Sequence, residues 1–241
     1  MCGRFAQYTP PERLSAVFDA TASDELTAQW RASWNVAPSR RVLGVVEAAT
    51  YDTTPSRRRL DWFTWGLIPR WSKESRPRGL INARCETVAT KPSFRSAFAA
   101  RRMVVVADGF YEWTRPATGE RRPYYFRRDD GEPMALAGLW EKPVETDAND
   151  ERAWLPTCTI VTTRANADVA GVHDRMPVVL DGPALDIWLD TSEYDRDELE
   201  TALEATPPGS ISSYPVTTAL NRVSNDTPEL IAPLVTPLIA Q

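Results

Sequence analysis

The chain has 241 residues, 42% of them hydrophobic and 25% charged, with a net charge of −5. That is enough chain for one domain with a proper core, and the composition is ordinary for a soluble globular protein. No apolar run reaches the roughly 18 residues of a membrane span and no signal-peptide pattern opens the chain, so no membrane role and a cytoplasmic location are expected.

In chain order, "TPPERLSAVFDA" reads as a first helix, with Thr9 as N-cap, prolines in the first turn and an apolar stripe of Leu14, Val17 and Phe18. "RVLGVVEA" and "DWFTWG" follow as strands. "KPSFRSAFAARR" reads as a helix with Ser93 near its start and Phe94 and Phe98 four apart. Then come the strands "RMVVVADGFYEW", "PYYFRRD", "PMALAGLW", "PTCTIVTT" and "MPVVL", and two late helices, "GPALDIWLD" and "DRDELETALEA". Loops rich in Pro, Gly, Ser or charge fall at Thr53–Arg59, Ser72–Gly79, Pro116–Arg122, Val144–Arg152 and Thr206–Ser210. Strands outnumber helices and do not alternate with them. This predicts an α+β domain with a mostly antiparallel, barrel-like sheet core flanked by helices.

The charge is unevenly spread. Residues 1–128 hold 22 Lys+Arg against 12 Asp+Glu, and residues 129–241 hold 6 against 21. Of the 28 basic residues 25 are arginine, which pairs bidentately with phosphate and stacks on bases. A basic half points to an anionic partner such as nucleic acid. The alternative is that the two halves interleave in space and neutralise each other.

The three cysteines, Cys2, Cys85 and Cys158, form no CxxC pair, and His173 is the one histidine. A structural zinc site and a disulfide framework are therefore not expected. Cys85 and Cys158 read as small buried hydrophobes. Cys2 is different. Methionine aminopeptidase accepts a small second residue, so loss of Met1 would leave Cys2 carrying a free α-amine beside its thiol.

Four stretches hold more polar and aromatic chemistry than folding needs: "MCGRF", "INARCET", "ADGFYEW" and "VHDRMPVVL". In the third, alternation puts Phe110 and Glu112 on one face and Tyr111 and Trp113 on the other. A glutamate ending a buried strand suits a general acid or base, whereas on an edge strand it would be a surface group. His173 lies in a polar turn before an apolar strand, a place common to active-site and structural histidines alike. Asn82 alone reads as a turn former. For a terminal cysteine two chemistries fit without cofactor or metal. The amine can serve as base for its own thiol in an amidohydrolase. Alternatively, amine and thiol together can trap an aldehyde, first as a Schiff base and then as a five-membered thiazolidine.

With "MCGRF", "WNVAPS", "WGLIPRW", "INARCETV" and "KPSFRSAF", "DGFYEW", "ALAGLW", "TIVTT" and "VHDRMPVVL" in this order, the chain resembles the SOS response-associated peptidase (SRAP) family of abasic-site processing proteins. The resemblance implies one SRAP domain over residues 2–225, followed by a tail over 226–241. It implies a DNA-damage protein that binds single-stranded DNA at abasic sites and forms a thiazolidine crosslink through Cys2. Self-removal of Met1, weak lyase cleavage and crosslink reversal would accompany this. Cys2, Asn82, Glu112 and His173 would be catalytic. Arg4, Arg84 and Arg175 would bind phosphates, and Trp65 or Trp71 and Pro38 would offer stacking surface. No cofactor and no metal is implied, and a monomer that joins the nucleoid on binding DNA is expected. A glutamine amidotransferase-like hydrolase is the rival, but its "RGPD"-like and "NGE" segments are missing. A non-covalent reader of single-stranded DNA is the other.

Overall fold

The computed structural model describes residues 2–47, 58–72, 79–114, 119–142, 156–192, 195–204 and 206–234. The loop at Val144–Arg152 lies outside them, as do residues 53–57, 73–78 and 116–118 of the loops read at 53–59, 72–79 and 116–122. The elements begin with β1 (Phe5–Gln7), α1 (Pro11–Phe18), β2 (Ala20–Thr21), α2 (Asp24–Gln29), β3 (Ser33–Val36), β4 (Arg41–Glu47) and β5 (Arg58–Trp65). Next come β6 (Asn82–Arg84), α3 (Cys85–Val88), α4 (Arg95–Ala100), β7 (Arg102–Ala107), β8 (Gly109–Trp113), β9 (Pro123–Arg128) and β10 (Met134–Glu141). β11 (Thr157–Arg164), α5 (Ala167–Ala170), β12 (Arg175–Pro177), β13 (Val179–Leu180), α6 (Gly182–Leu189), α7 (Arg196–Ala202) and β14 (Ile211–Pro215) complete the series, before single 3-10 turns at Thr218–Asn221 and Pro228–Ile231.

The strands make two sheets, of order β14-β9-β8-β1-β3 and β12-β11-β10-β7-β4-β5-β2, with β6 added on β11 and β13 on β10. Most pairings are antiparallel. The larger sheet curls until β5 meets β11 in parallel, at Thr64–Thr157 and Trp65–Cys158. This makes it ring-like without closing a barrel, and the α+β expectation holds.

One long strand expected from sequence is two. Asp108 divides it: its carboxylate accepts the Tyr8 and Thr9 amides at 2.5 and 2.9 Å and the Thr9 hydroxyl. Its own amide donates to Ala6 O at 2.8 Å. The chain thus leaves the larger sheet as β7 and enters the smaller as β8. A Cβ on Gly109 would lie 2.4 Å from Phe126 O and 2.5 Å from the Tyr125 hydroxyl, so the crossing needs glycine. Because Thr9 is held by Asp108, it does not cap α1; Pro10 holds that position without a side-chain bond.

The helices other than α5 cover the outer face of the larger sheet. Leu14, Phe98, Val104 and Trp188 share one core there. Buried Arg102 joins two helix ends, donating to Trp188 O at 2.8 Å and to Phe98 and Ala99 O at 3.1 and 2.9 Å. A second core lies between the sheets and includes Cys2, Phe5, Trp65, Phe110, Cys158 and Ile160. A third, with Ala6, Tyr111, Tyr125, Leu220 and Leu230, covers the far side of the smaller sheet. Cys158 is buried as expected, whereas Cys85 is only half-buried. Part of the segment expected as a tail packs down: the Tyr214 hydroxyl donates to Ile231 O and Leu234 N to Pro215 O, both at 2.9 Å.

The basic and acidic halves do interleave in part. Arg13 pairs with Glu132 at 2.5 Å, Arg101 with Glu141 at 2.8 Å, and Arg58 with Asp186. Among the described residues no helix is long and apolar enough to cross a membrane.

Candidate active site

Three distant segments converge on Cys2 at the seam between the sheets. Cys2 precedes β1, which runs antiparallel to β8 with Phe5 opposite Phe110. The Tyr111 amide donates to Arg4 O at 2.9 Å, extending that pairing toward the terminus. Cys2 is fully buried, and its Sγ lies 3.9 Å from Arg4 O. Burial, and then the charge of Glu112, push the thiol well above its ordinary range. The group is a thiol, not a thiolate, at neutral pH.

Asn82 stands on β6, which is held parallel to β11 with Asn82 opposite Ile160. Its Nδ2 donates to Cys2 O at 2.8 Å. Its Oδ1 is buried without a partner among the described residues, an acceptor available to an amine or hydroxyl. Asn82 is therefore more than a turn former. Glu112 sits on β8, paired by β1 on one side and β9 on the other, so the edge-strand reading fails. It is 4% exposed, and its Oε2 lies 3.9 Å from His173 Nε2. The alternation expected for this strand is observed, with Phe110 in the inter-sheet core and Tyr111 in the far one.

His173 occupies the turn between α5 and β12. The Arg175 amide donates to its Nδ1 at 2.9 Å. An amide can only donate, so a neutral ring keeps its proton on Nε2, the nitrogen that faces Glu112. Asp174 Oδ1 at 3.1 Å and the Arg175 carbonyl at 3.2 Å stand ready to accept from Nδ1 when the ring is charged. The buried Glu112–His173 pair can thus hold or pass a proton beside Cys2. Among the described residues no three His, Cys, Asp or Glu side chains form a metal site.

The residues expected on DNA divide. Arg84 is exposed, two residues from Asn82 on the same strand and so on the same face. Trp71 is 63% exposed. Pro38 is half-buried in a loop docked on the end of β5, where the Ser39 amide donates to Trp65 O at 2.7 Å. Trp65 is a correction. It is fully buried, its Nε1 donates to Ile81 O at 2.9 Å, and its ring packs 5.0 Å from Phe5, so it belongs to the core that also holds Cys2 and has no free face. Arg175 is another. It pairs through both Nη atoms with Glu86 and donates to Thr162 O at 2.6 Å, which leaves its side chain 11% exposed and engaged within the wall. Arg4 points inward to Asn35 Oδ1 at 2.6 Å and Leu220 O at 3.0 Å. Asn35, which holds Arg4, and Thr162, which holds Arg175, are the residues sequence reading passed over, whereas Glu86 lay in a stretch already singled out. The one signal was an asparagine inside a motif-bearing run.

A family model for the SOS response associated peptidase (SRAP) matches residues 1–223. The chain belongs to the SRAP family. It is 34% identical over 234 residues to the abasic site processing protein YoqW of Bacillus subtilis, an alignment covering 96% of this chain and 99% of that one. It is also 34% identical over 235 residues to the abasic site processing protein HMCES of Gallus gallus, covering 86% and 67%. A crystal structure of a Bacteroides thetaiotaomicron protein superposes with a TM-score of 0.81 at 21% identity, covering 96% of this chain and 99% of that one, and so shares the fold. In this SRAP domain the four residues expected to be catalytic, Cys2, Asn82, Glu112 and His173, lie on four separate segments that meet in one place.

Proposed function

We propose that this chain processes abasic sites in single-stranded DNA by covalent capture of the ring-opened sugar at Cys2. The observation that carries the reading is the gathering of Asn82, Glu112 and His173 around a terminal-segment cysteine, in a chain whose relatives are named for abasic sites. Removal of Met1 frees the Cys2 amine, and an ordinary α-amine, titrating at about 7.7–8.0, keeps a useful neutral fraction in the cell. The amine adds to the C1′ aldehyde, and loss of one water gives the Schiff base. The thiol then adds to the imine carbon and its proton passes to nitrogen, closing the thiazolidine. A thiol held in its neutral form suits this order, because the amine acts first.

Asn82 holds the terminal segment through Cys2 O and offers Oδ1 to the reacting amine or sugar. Glu112 takes and returns protons at the amine, with His173 as its partner and as a donor to the sugar ring oxygen. Arg84 meets a flanking phosphate, and Trp71 and Pro38 offer faces to bases. Such stacking is sequence-tolerant and worth roughly 1–3 kcal/mol per base. Reversal of the crosslink and lyase cleavage draw on the same proton path, as does self-removal of Met1. The protein acts as a monomer in the cytoplasm, on the nucleoid when bound.

Denaturing electrophoresis after incubation with an abasic oligonucleotide tests this. Wild-type protein gives a heat-stable shifted band and Cys2→Ala gives none. A band that survives Cys2→Ala sinks the thiazolidine reading. No band with either protein, despite binding on a native gel, identifies a non-covalent reader.

A further inference from the structure

Asn35, the second residue of "WNVAPS", is 3% exposed, yet it takes no part in the chemistry above. Its carboxamide serves one purpose. Nδ2 faces three carbonyls of a single C-terminal loop: Leu220 O at 3.2 Å, Arg222 O at 3.1 Å and Asn225 O at 2.6 Å. Oδ1 accepts from Arg4 Nη1 at 2.6 Å, and the same Nη1 reaches Leu220 O at 3.0 Å. Neighbouring motif residues hold the loop as well: Trp113 Nε1 donates to Asn221 Oδ1 at 2.9 Å and the Trp34 amide to Asp226 Oδ1 at 2.5 Å. Segments from "MCGRF", "WNVAPS" and "DGFYEW" thus meet on residues 220–226.

The main chain of Arg4 is where this network touches the reacting group. Arg4 O accepts the Tyr111 amide and lies 3.9 Å from Cys2 Sγ. A cysteine at a free terminus has no upstream chain to hold it, and covalent capture needs amine, thiol and aldehyde in one geometry. We infer that Asn35 is a positioning residue for Cys2: through Arg4 it locks the terminal segment to the 220–226 loop, which holds the cysteine against Asn82 and Glu112. The inference rests on the abasic-site reading for its rate effect but not for its structural effect. It also changes the part of Arg4, from a ligand of DNA phosphate to a link in this lock.

Two variants test it: Asn35→Leu, which removes every carboxamide bond while keeping the branched side-chain shape, and Arg4→Met, which keeps the stem of a half-buried side chain. Three quantities are read. They are iodoacetamide labelling of Cys2 without DNA, adduct rate at saturating abasic oligonucleotide, and affinity with its salt dependence for an oligonucleotide carrying a tetrahydrofuran site, which has no aldehyde. The expected result is labelling faster by about tenfold and adduct formation slower by about tenfold, because the terminus is released. Affinity for the tetrahydrofuran oligonucleotide stays within about twofold and its salt slope is unchanged, because no phosphate contact is lost. Labelling at the wild-type rate in Arg4→Met overturns the inference. So does a salt slope shallower by about 0.7 with weaker binding, which assigns Arg4 to a phosphate. If the wild type forms no adduct, the abasic-site reading fails while the labelling comparison still decides on the lock.

Discussion

Glu112 and Cys2 are 110 positions apart in the chain but adjacent in effect, since the carboxylate is the second cause, after burial, of the raised thiol pKa. Glu112→Gln keeps the shape and removes the charge. Its Cys2 thiol titrates at lower pH, so a pH series of thiol labelling shifts toward acid relative to wild type. Adduct formation slows on the order of 10²-fold, the usual contribution of a positioned acid–base group. A variant that crosslinks at the wild-type rate removes Glu112 from the proton path. Glu86 gives a second test. The Arg175 guanidinium pulls its carboxyl down to about 2. A depressed folded pKa contributes stability that is present above the ordinary carboxylate value near 4.5 and lost as pH falls toward 2. Wild type and Glu86→Gln therefore differ in urea midpoint at pH 7 and converge as the pH drops from 4.5 to 2; the half-exposed carboxylate keeps the difference small. Residues that the fold gathers were legible where a type is rare or oddly placed, as with Cys2 and His173. The places of Trp65 and Arg175 were not legible, because sequence names a side chain and not the neighbour that occupies it.

The loop between β5 and β6 carries Trp71 at one end and leads into Asn82 at the other. Its neck is two glycines back to back. Gly66 has φ +133°, and a Cβ on Gly79 would lie 2.5 Å from Gly66 O and 2.6 Å from Gly66 Cα. Beyond them Leu67 and Leu80 exchange amide–carbonyl bonds of 3.0 and 2.9 Å. Only glycine lets the two arms close, and backbone cannot move aside as a side-chain tip can. Gly79→Ala is expected to part the arms and draw Asn82 from Cys2 O. Amide exchange at Leu67 and Leu80 quickens and adduct yield falls while β7 and β10 stay protected. Normal exchange at both leucines in that variant would contradict this. At this scale periodicity found the long strands and the helices, with boundaries moved by a residue or a few. It missed β1, β2, β3, β6, β14 and the short α2, α3 and α5, of two to six residues each, because so few positions carry no period. Two of those missed strands, β1 and β6, position Cys2 and Asn82. It also fused β7 with β8, because the turn at Asp108 is fixed by Tyr8 and Thr9 about 100 residues away.

Across the whole molecule the site belongs to neither sheet. β8 brings Glu112 from the smaller, β6 and the turn before β12 bring Asn82 and His173 to the larger, and the chain terminus closes the gap. The basic first half does not remain wholly free, since Arg13, Arg58 and Arg101 are neutralised by acids of the second half. Arg84, two residues from Asn82 on β6, stays exposed, as does Trp71. Binding to an unmodified oligonucleotide should weaken with salt by a log–log slope of about 0.7 per phosphate contacted, and Trp71→Ala should cost about 1–3 kcal/mol with little change in that slope. A flat salt response would remove the phosphate contacts. In the proposed reaction Cys2, freed of Met1, is itself the reagent. Peptide mass spectrometry of the protein after reaction with abasic single-stranded DNA tests it most directly. The expected terminal peptide begins at Cys2, lacks Met1 and carries the sugar remnant with loss of one water. A remnant on a lysine, or an unmodified terminal peptide beside crosslinked protein, contradicts it.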